Sequence, residues 1–186
     1  LSSTRPEWSY ADFAVTSAGL VAVPVYPTNA PNECAWVLGN SEARTVICED
    51  AAQLAKVLEV RDQLPALEHL IVFESGSGAI SLAELRERGR GRPEAELTER
   101  AAAVGPEDPY TFIYTSGTTG PPKGCVLTHG NYRAITSAVE AQELVSEDDC
   151  VYLFLPLAHA LALIVQFLVL DVGATIGAHS QHIVDM

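Results

Sequence analysis

One run of the sequence combines hydroxyl side chains, glycines and a lysine in a pattern that suits phosphate binding. It extends from Tyr114 to Gly124 and consists of YTSGTTGPPKG. Glycine lets the backbone approach an anion closely and adopt positive φ, and successive N–H groups in such a turn form an anion-binding concavity. Short β-prone segments precede and follow the run, so we expect a loop between two strands. A plain surface loop is the alternative interpretation.

The candidate ligands within this loop are hydroxyl donors, backbone positions and one cation. They are Thr115, Ser116, Thr118 and Thr119 for the hydroxyls, Gly117, Gly120 and Gly124 for the backbone, and Lys123 for the cation. The spacing excludes a Walker A loop, which has a longer gap between its glycines and a Ser or Thr directly after the lysine. We therefore expect a phosphate-binding loop of another type.

The composition restricts the classes of partner. The chain has 186 residues, of which 48% are hydrophobic and 19% charged, a balance typical of a globular domain with a core. Its net charge is −13, with only 11 lysines and arginines. Such a chain does not suit nucleic acid, which requires basic patches, or charge-driven binding to an anionic membrane surface. We therefore expect no nucleic acid partner.

Cysteine usage indicates a reducing compartment. The four cysteines stand at positions 34, 48, 125 and 150 and form no C-x-x-C pair and no zinc-type cluster. Each lies in or beside an apolar stretch, where a free thiol behaves as a small hydrophobe. The first residues lack the apolar segment of a signal peptide. We expect a cytoplasmic protein with no metal ligands of its own, and the abrupt ends suggest a piece of a larger protein.

Hydrophobic periodicity predicts strands that alternate with helices. The expected strands cover residues 21–26, 45–48, 70–73, 110–113, 125–128, 151–155 and 174–178. The expected helices cover residues 9–20, 32–38, 51–64, 95–103, 129–144 and 159–171, with a short additional helix after Ser81. This alternation implies βαβ units, so the predicted fold class is α/β, with partly parallel sheet layers and helices.

Several helix details can be predicted from the same patterns. Asn32 is expected to cap the second helix, and Gly39–Asn40 to end it. Thr128 is expected to cap the helix at 129–144. The core face of that helix is expected to carry Ile135, Ala138, Val139 and Ala141.

Residues 151–170 contain no charged side chain. Their length alone would suit a transmembrane span, but Pro156, His159 and Gln166 interrupt the run. A strand followed by a helix that is apolar on all sides, and therefore buried, is the favoured interpretation. Peripheral membrane contact stays open. An apolar face without its packing partners would also favour oligomers.

The loop and its flanks resemble the signature loop of the adenylate-forming (AMP-binding) enzymes, which include acyl-CoA synthetases, luciferases and peptide-synthetase adenylation domains. Further segments agree with this family in order and spacing: VAVPVYPT at 21–28, NSEAR at 40–44 and LPLAH at 155–159. The run GCVLTHGN at 124–131 is similar to bacterial long-chain fatty acyl-CoA synthetases in particular. The resemblance covers most of the chain and corresponds to the amino-terminal part of such an enzyme.

The resemblance implies a role for each candidate residue. The loop would wrap the β- and γ-phosphates of ATP, with its hydroxyls and glycine backbone forming the cradle. Lys123 would neutralise charge on the departing pyrophosphate. His159 would lie near the acyl carboxylate and the α-phosphate, although a histidine satisfied within the core is the alternative. Leu161 and Leu163 depart from the family pattern, which leaves the acyl-pocket contacts open.

The implied reaction joins a fatty acid to ATP, with Mg²⁺, and passes the acyl group to coenzyme A. The implied organisation is an incomplete amino-terminal AMP-binding domain without its carboxy-terminal domain. It would comprise a βαβ subregion at 1–92, a connector at 93–109 and a phosphate-loop subregion at 110–186. We expect little activity from this chain alone. The alternatives are a ligase for another carboxylic acid, an acyl-AMP ligase and a non-catalytic nucleotide-binding module.

Overall fold

The computed structural model describes residues 1–74, 78–115 and 120–178. The first stretch and the start of the second contain α1 (Pro6–Ser17), α2 (Pro31–Asn40), β1 (Thr45–Cys48), α3 (Ala51–Glu59), a 3-10 turn (Arg61–Gln63), β2 (His69–Val72) and β3 (Ile80–Ser81). The rest contains α4 (Leu82–Gly89), α5 (Glu94–Ala102), β4 (Pro109–Thr115), β5 (Lys123–Thr128), α6 (His129–Glu140), β6 (Cys150–Leu153), α7 (Ala160–Asp171) and β7 (Thr175–Ala178).

Two of the three sheets among the described residues are parallel, which confirms the α/β class. Strands β1, β2 and β3 form one sheet in that order, and β6 pairs with β7 in another. Strands β4 and β5 form an antiparallel hairpin. Helix α3 connects β1 to β2, and α7 connects β6 to β7, because parallel neighbours require a crossover connection.

Two hydrophobic cores meet at the hairpin. The first core comprises Leu1, Val25, Cys34, Val37, Leu38, Val46, Cys48, Leu54, Val57, Val60, Leu64 and Leu67. The second core comprises Trp8, Tyr110, Ile113, Tyr132, Leu153, Leu157, Ala162 and Leu163. Ile113 of β4 belongs to the second core, whereas the next residue, Tyr114, packs against the first. Successive side chains of a strand point to opposite faces, so β4 is packed on both sides.

The prediction of a strand at 21–26 is wrong. This segment makes only an isolated parallel bridge, from Ala22 to Thr111 of β4. Ala22 donates to the Tyr110 carbonyl at 3.0 Å and accepts from the Phe112 amide at 3.2 Å. Pro24 has no N–H, so the next rung of the ladder cannot form. The apolar character of the segment instead reflects the burial of Val25 in the first core.

The predicted start of α2 is also wrong. The helix begins at Pro31, and Ala30 rather than Asn32 occupies the capping position. The Glu33 carboxylate accepts the Ala30 N–H at 2.7 Å, which satisfies a donor at the helix start. Proline at the first helical position has its φ already set for the helix. At the other end, Gly39 and Asn40 form the last part of the helix rather than a stop after it.

Helix α6 uses a different face from the one predicted. Its capping by Thr128 is confirmed, but its buried residues are Tyr132 and Thr136, whereas Ile135 is 41% exposed. Ala138 and Ala141 are exposed as well. The Tyr132 ring packs edge-on against Tyr110, with ring centroids 4.8 Å apart. This aromatic contact orients the helix, and residue periodicity alone did not predict it.

The uncharged run at 151–170 forms β6, a turn and α7, as predicted. None of the helices in the described ranges is long and apolar enough to cross a membrane. Ala162, Leu163, Gln166, Leu168 and Val169 of α7 are buried. Leu161 and Leu170 are 55% and 47% exposed, so the expectation of burial on all sides is wrong.

Candidate functional site

The candidate loop leaves one strand of the hairpin and returns on the other. Strands β4 and β5 pair from Pro109 opposite Thr128 to Thr115 opposite Lys123. Thr115 is therefore the last residue of one arm, and Lys123 is the first residue of the other. The sequence placed Lys123 within the loop, whereas the structure places it in β5. The strand pairing therefore fixes the backbone of Lys123.

The middle of the loop, Ser116, Gly117, Thr118 and Thr119, lies outside the described residues. Their expected contacts with phosphate remain predictions. The described part of the candidate site consists of Thr115, Gly120, Lys123 and Gly124.

The two described glycines have different structural roles. Gly120 has a φ of 88°, in the left-handed region that favours glycine. Gly124 lies beside the ring of Tyr114, and a Cβ added at Gly124 would approach the Tyr114 Cζ atom to 3.0 Å. Gly124 therefore allows the Tyr114 ring to lie close against β5, next to the end of the hairpin that carries the loop.

The side chains at the two ends of the loop are accessible. Thr115 and Lys123 are both exposed. Within the ranges that the structure covers, the Lys123 ammonium forms no salt bridge with any carboxylate. This is notable because 24 acidic residues face only 11 basic ones. An accessible ammonium opposite a threonine hydroxyl can attract and hydrogen-bond an anionic ligand.

Helix α2 forms two hydrogen bonds with residues beside the loop ends. The Trp36 indole N–H donates to the Pro122 carbonyl at 2.8 Å. The Tyr114 hydroxyl donates to Asn40 Oδ1 at 2.7 Å. Sequence reasoning assigned neither Trp36 nor Asn40 to the site. Asn40 begins one of the family-like runs, which was the available signal, and nothing in the local pattern marked Trp36.

His159 lies immediately before α7 and is exposed, which rules out the core-histidine alternative. Its carbonyl accepts from the amides of Ala162 and Leu163, at 3.1 and 3.3 Å. The turn that carries it is tied to the start of the chain, because Thr4 Oγ1 donates to the Leu155 carbonyl at 2.7 Å and accepts the Leu157 amide at 3.1 Å. No described hydrogen bond or ion pair joins His159 to Lys123.

A buried polar cluster lies beneath the hairpin. Asp12 Oδ2 accepts from the Tyr110 hydroxyl at 2.8 Å and from Gln166 Nε2 at 3.3 Å. Ser9 donates to Gln166 Oε1 at 2.6 Å. Asp12 Oδ1 is buried and has no hydrogen-bond partner among the described residues. Burial raises the pKa of Asp12 to about 6, against the opposing effect of the bonds from Tyr110 and Gln166.

A cavity of about 610 Å³ lies away from the loop. Its aromatic lining consists of Phe13, Tyr110, His129, Tyr132 and Phe167. It opens near the start of β4, at the opposite end of the hairpin from Thr115 and Lys123. Burial lowers the pKa of His129 in the wall of this cavity. At the loop, the described ends Thr115 and Lys123 are exposed rather than enclosed.

Relatives share both the sequence and the fold of this chain. Residues 1–185 match the model of the family described as AMP-binding enzyme. The chain belongs to the AMP-binding enzyme family. A long-chain-fatty-acid–CoA ligase, FadD15 of Mycobacterium bovis, is 39% identical over 178 residues. That alignment covers 95% of this chain and 30% of the ligase.

Solved structures of AMP-binding enzymes have the same fold. The amino-terminal domain of FACL13 from Mycobacterium tuberculosis superposes with a TM-score of 0.79 at 26% identity and covers 96% of this chain and 42% of that one. The anthranilate CoA ligase AuaEII, solved with anthranoyl-AMP, gives a TM-score of 0.79 at 28% identity, over 95% of this chain and 34% of its own. The chain thus spans about a third of the length of the relatives that it matches.

Proposed function

We propose that this chain is the amino-terminal, phosphate-loop part of an ATP-dependent long-chain fatty acid–CoA ligase. The complete reaction converts a fatty acid, ATP and coenzyme A into acyl-CoA, AMP and pyrophosphate through an acyl-AMP intermediate. The observation that carries the proposal is the position of the loop ends, where the exposed residues Thr115 and Lys123 are paired across the hairpin of β4 and β5. The similarity to a long-chain-fatty-acid–CoA ligase over 95% of the chain supports the choice of substrate class.

The chemistry requires charge stabilisation rather than a side-chain nucleophile. The fatty acid carboxylate attacks the α-phosphorus of ATP, and the bond to the bridging oxygen of pyrophosphate breaks. The thiol of coenzyme A then attacks the acyl carbonyl and releases AMP. In the first step negative charge builds up on the departing pyrophosphate, which Lys123 would neutralise and the loop hydroxyls would hydrogen-bond.

His159 is proposed to assist at the acyl carboxylate and the α-phosphate. Its exposure supports this role, because an accessible imidazole can reach a bound substrate. Thr4 supports the turn from the other side, which holds the position of the histidine against the start of the chain.

Mg²⁺ is proposed to enter with ATP rather than through ligands of this chain. Within the described ranges, no group of three or more histidine, cysteine, aspartate or glutamate side chains is arranged to hold a metal ion. We therefore derive no step through a metal site of these residues. The four cysteines are free thiols, which supports the proposed cytoplasmic location.

The proposed organisation divides the chain at its connector. Residues 1–92 would form the βαβ subregion and residues 110–186 the phosphate-loop subregion, joined by 93–109. Contacts for adenine, ribose and coenzyme A would come from other parts of the complete enzyme. Purified 1–186 is accordingly expected to bind ATP weakly and to form at most a trace of acyl-AMP.

Calorimetric titration of the chain with ATP tests the proposal. Replacing Lys123 with alanine should weaken binding by about tenfold or more, since hydrogen bonds to charged groups contribute about 1.5–3 kcal/mol. Arg90→Ala is the matched control, because it removes the same charge from an exposed side chain. Equal affinities for all three proteins, or no heat in any of them, would contradict the proposed phosphate site.

A further inference from the structure

We propose that Trp36 and Asn40 of α2 are positioning residues that hold the two arms of the phosphate loop. They lie four residues apart, so they face the same side of the helix. Trp36 holds one arm through the Pro122 carbonyl, and Asn40 holds the other through the Tyr114 hydroxyl. The part of this inference that concerns ATP rests on the proposed function. The structural part does not.

The two hydrogen bonds lie at the same end of the hairpin, next to the pair formed by Thr115 and Lys123. Tyr114 is paired with Gly124, and the neighbouring rung pairs Thr115 with Lys123. The residue bonded to Asn40 is therefore the one before Thr115, and the residue bonded to Trp36 is the one before Lys123. Each arm is fixed next to the residue that is expected to meet phosphate.

The bond from Trp36 fixes the peptide unit that carries the Lys123 N–H. A carbonyl and the following N–H lie in one rigid plane, so an indole bound to the Pro122 oxygen also orients the amide of Lys123. Pro122 itself has a restricted φ and no N–H. The indole therefore removes much of the remaining freedom of the backbone at this point.

Gly124 completes the arrangement. Because it lacks a side chain, the Tyr114 ring lies close against it, within 3.0 Å of where a Cβ would stand. This position carries the tyrosine hydroxyl to Asn40 at the end of α2. Trp36 and Asn40 are both exposed, so neither is required to fill the core. Their contacts with the loop arms thus provide a reason for these residue types other than core packing.

Hydrogen exchange of the full 186-residue chain without nucleotide tests the positioning role. Trp36→Phe keeps an aromatic ring but loses the N–H, and it should speed amide exchange at residues 123–126 by about two- to tenfold, the effect of one ordinary hydrogen bond. Tyr114→Phe should act likewise, and the double variant should exceed either one. Tyr10→Phe, at a tyrosine that is 61% exposed on α1, is the matched control and should change nothing there.

A merely structural role for Trp36 would give a different pattern. It would lower the melting temperature and speed exchange throughout the first core, whereas a positioning role confines the change to the loop arms. Unchanged exchange at 123–126 in both Trp36→Phe and Tyr114→Phe would overturn the inference, as would a change spread over the first core.

ATP titration separates this inference from the proposed function. If the wild-type chain binds ATP, Trp36→Phe should weaken binding by up to about tenfold, while Tyr10→Phe should not. Unchanged ATP affinity in Trp36→Phe would contradict the functional part. If the wild-type chain binds no ATP but exchange at 123–126 still responds to Trp36→Phe, the proposed function fails and the positioning role stands.

Discussion

Asp12 is the residue at which the electrostatics of this fold can be measured most clearly. Its carboxylate is buried against β4 and α7, with one oxygen hydrogen-bonded and the other without a partner among the described residues. The two bonds do not offset the loss of hydration, which is why its pKa rises to about 6 from 3.8. Burial and, to a smaller extent, the charge of Asp12 raise the pKa of Tyr132 to about 12, so this tyrosine stays neutral.

Unfolding experiments at different pH values should detect this carboxylate. The folded state holds the Asp12 proton up to about pH 6, whereas the unfolded chain releases it near 3.8. The contribution to stability is complete below the lower value and is lost as pH rises through the higher one. At about 1.4 kcal/mol per pKa unit, the loss amounts to about 3 kcal/mol.

Asp12→Asn separates this effect from that of the other carboxylates. Urea unfolding of both proteins at pH values from about 4 to 8 should show that the variant lacks the decline, so that the difference between the two grows with pH. Parallel pH profiles would mean that Asp12 is ionised in the folded protein with no electrostatic cost.

The junction of β5 and α6 shows how a local signal determines an element. The Asn131 amide donates to Thr128 Oγ1 at 3.2 Å, and the Thr128 amide donates to Asn131 Oδ1 at 3.0 Å. These reciprocal bonds satisfy donors at the start of α6. They also mark the residue at which strand pairing with Pro109 stops and the helix begins.

Loss of this cap should have a measurable cost. Thr128→Ala is expected to lower the free energy of unfolding by about 1 kcal/mol, the usual effect of removing a capping hydroxyl. Thr128→Ser keeps the hydroxyl and should remain near the wild-type value. Denaturant unfolding of the three proteins compares them directly, and equal stability of Thr128→Ala and wild type would show that the cap adds nothing.

Elements with a local signal were predictable from sequence, and those set by distant contacts were not. The cap at Thr128, the strand at 45–48 and the hairpin around the loop follow from residues adjacent in sequence. At 21–26 only a single bridge forms, to Thr111, and Pro24 within the segment was the local sign that the strand would not continue. The orientation of α6 depends on the edge-on contact of Tyr132 with Tyr110. These contacts with Thr111 and Tyr110 join distant parts of the chain and leave no local pattern.

The same division applies to the candidate site. The loop and its lysine were recognisable from residue types in one short run, although the strand position of Lys123 was not. The support from Trp36 and Asn40 joins residues that are 86 and 74 positions from their partners. Such a contact requires the packing of α2 beside the hairpin, which no short stretch of sequence determines.

At the scale of the whole molecule, several large apolar side chains around β6 and α7 are exposed to solvent. Phe154 is 66% exposed, Tyr152 54% and Leu161 55%, and the rings of Phe154 and Tyr152 stack at 6.1 Å. A net charge of −13 repels other copies of the chain. Salt screens that repulsion but leaves the apolar attraction in place.

The chain should therefore self-associate more strongly as salt concentration rises. Sedimentation velocity across a salt series should show larger species at high salt. The double variant Phe154→Ser with Leu161→Ser should stay smaller, whereas Leu97→Ser, an equally exposed leucine change on α5, should behave as the wild type. Association that falls with salt would point to contacts between charges instead.

The central claim is that the loop recognises the β- and γ-phosphates of ATP, and competition between ligands tests it most directly. Pyrophosphate and AMP are each titrated against ATP bound to the chain. The account predicts that pyrophosphate displaces ATP while AMP does not, and that Lys123→Ala loses this preference, because the proposed role of the lysine is to neutralise the departing phosphates. Displacement by AMP but not by pyrophosphate, or an unchanged preference in Lys123→Ala, would contradict it.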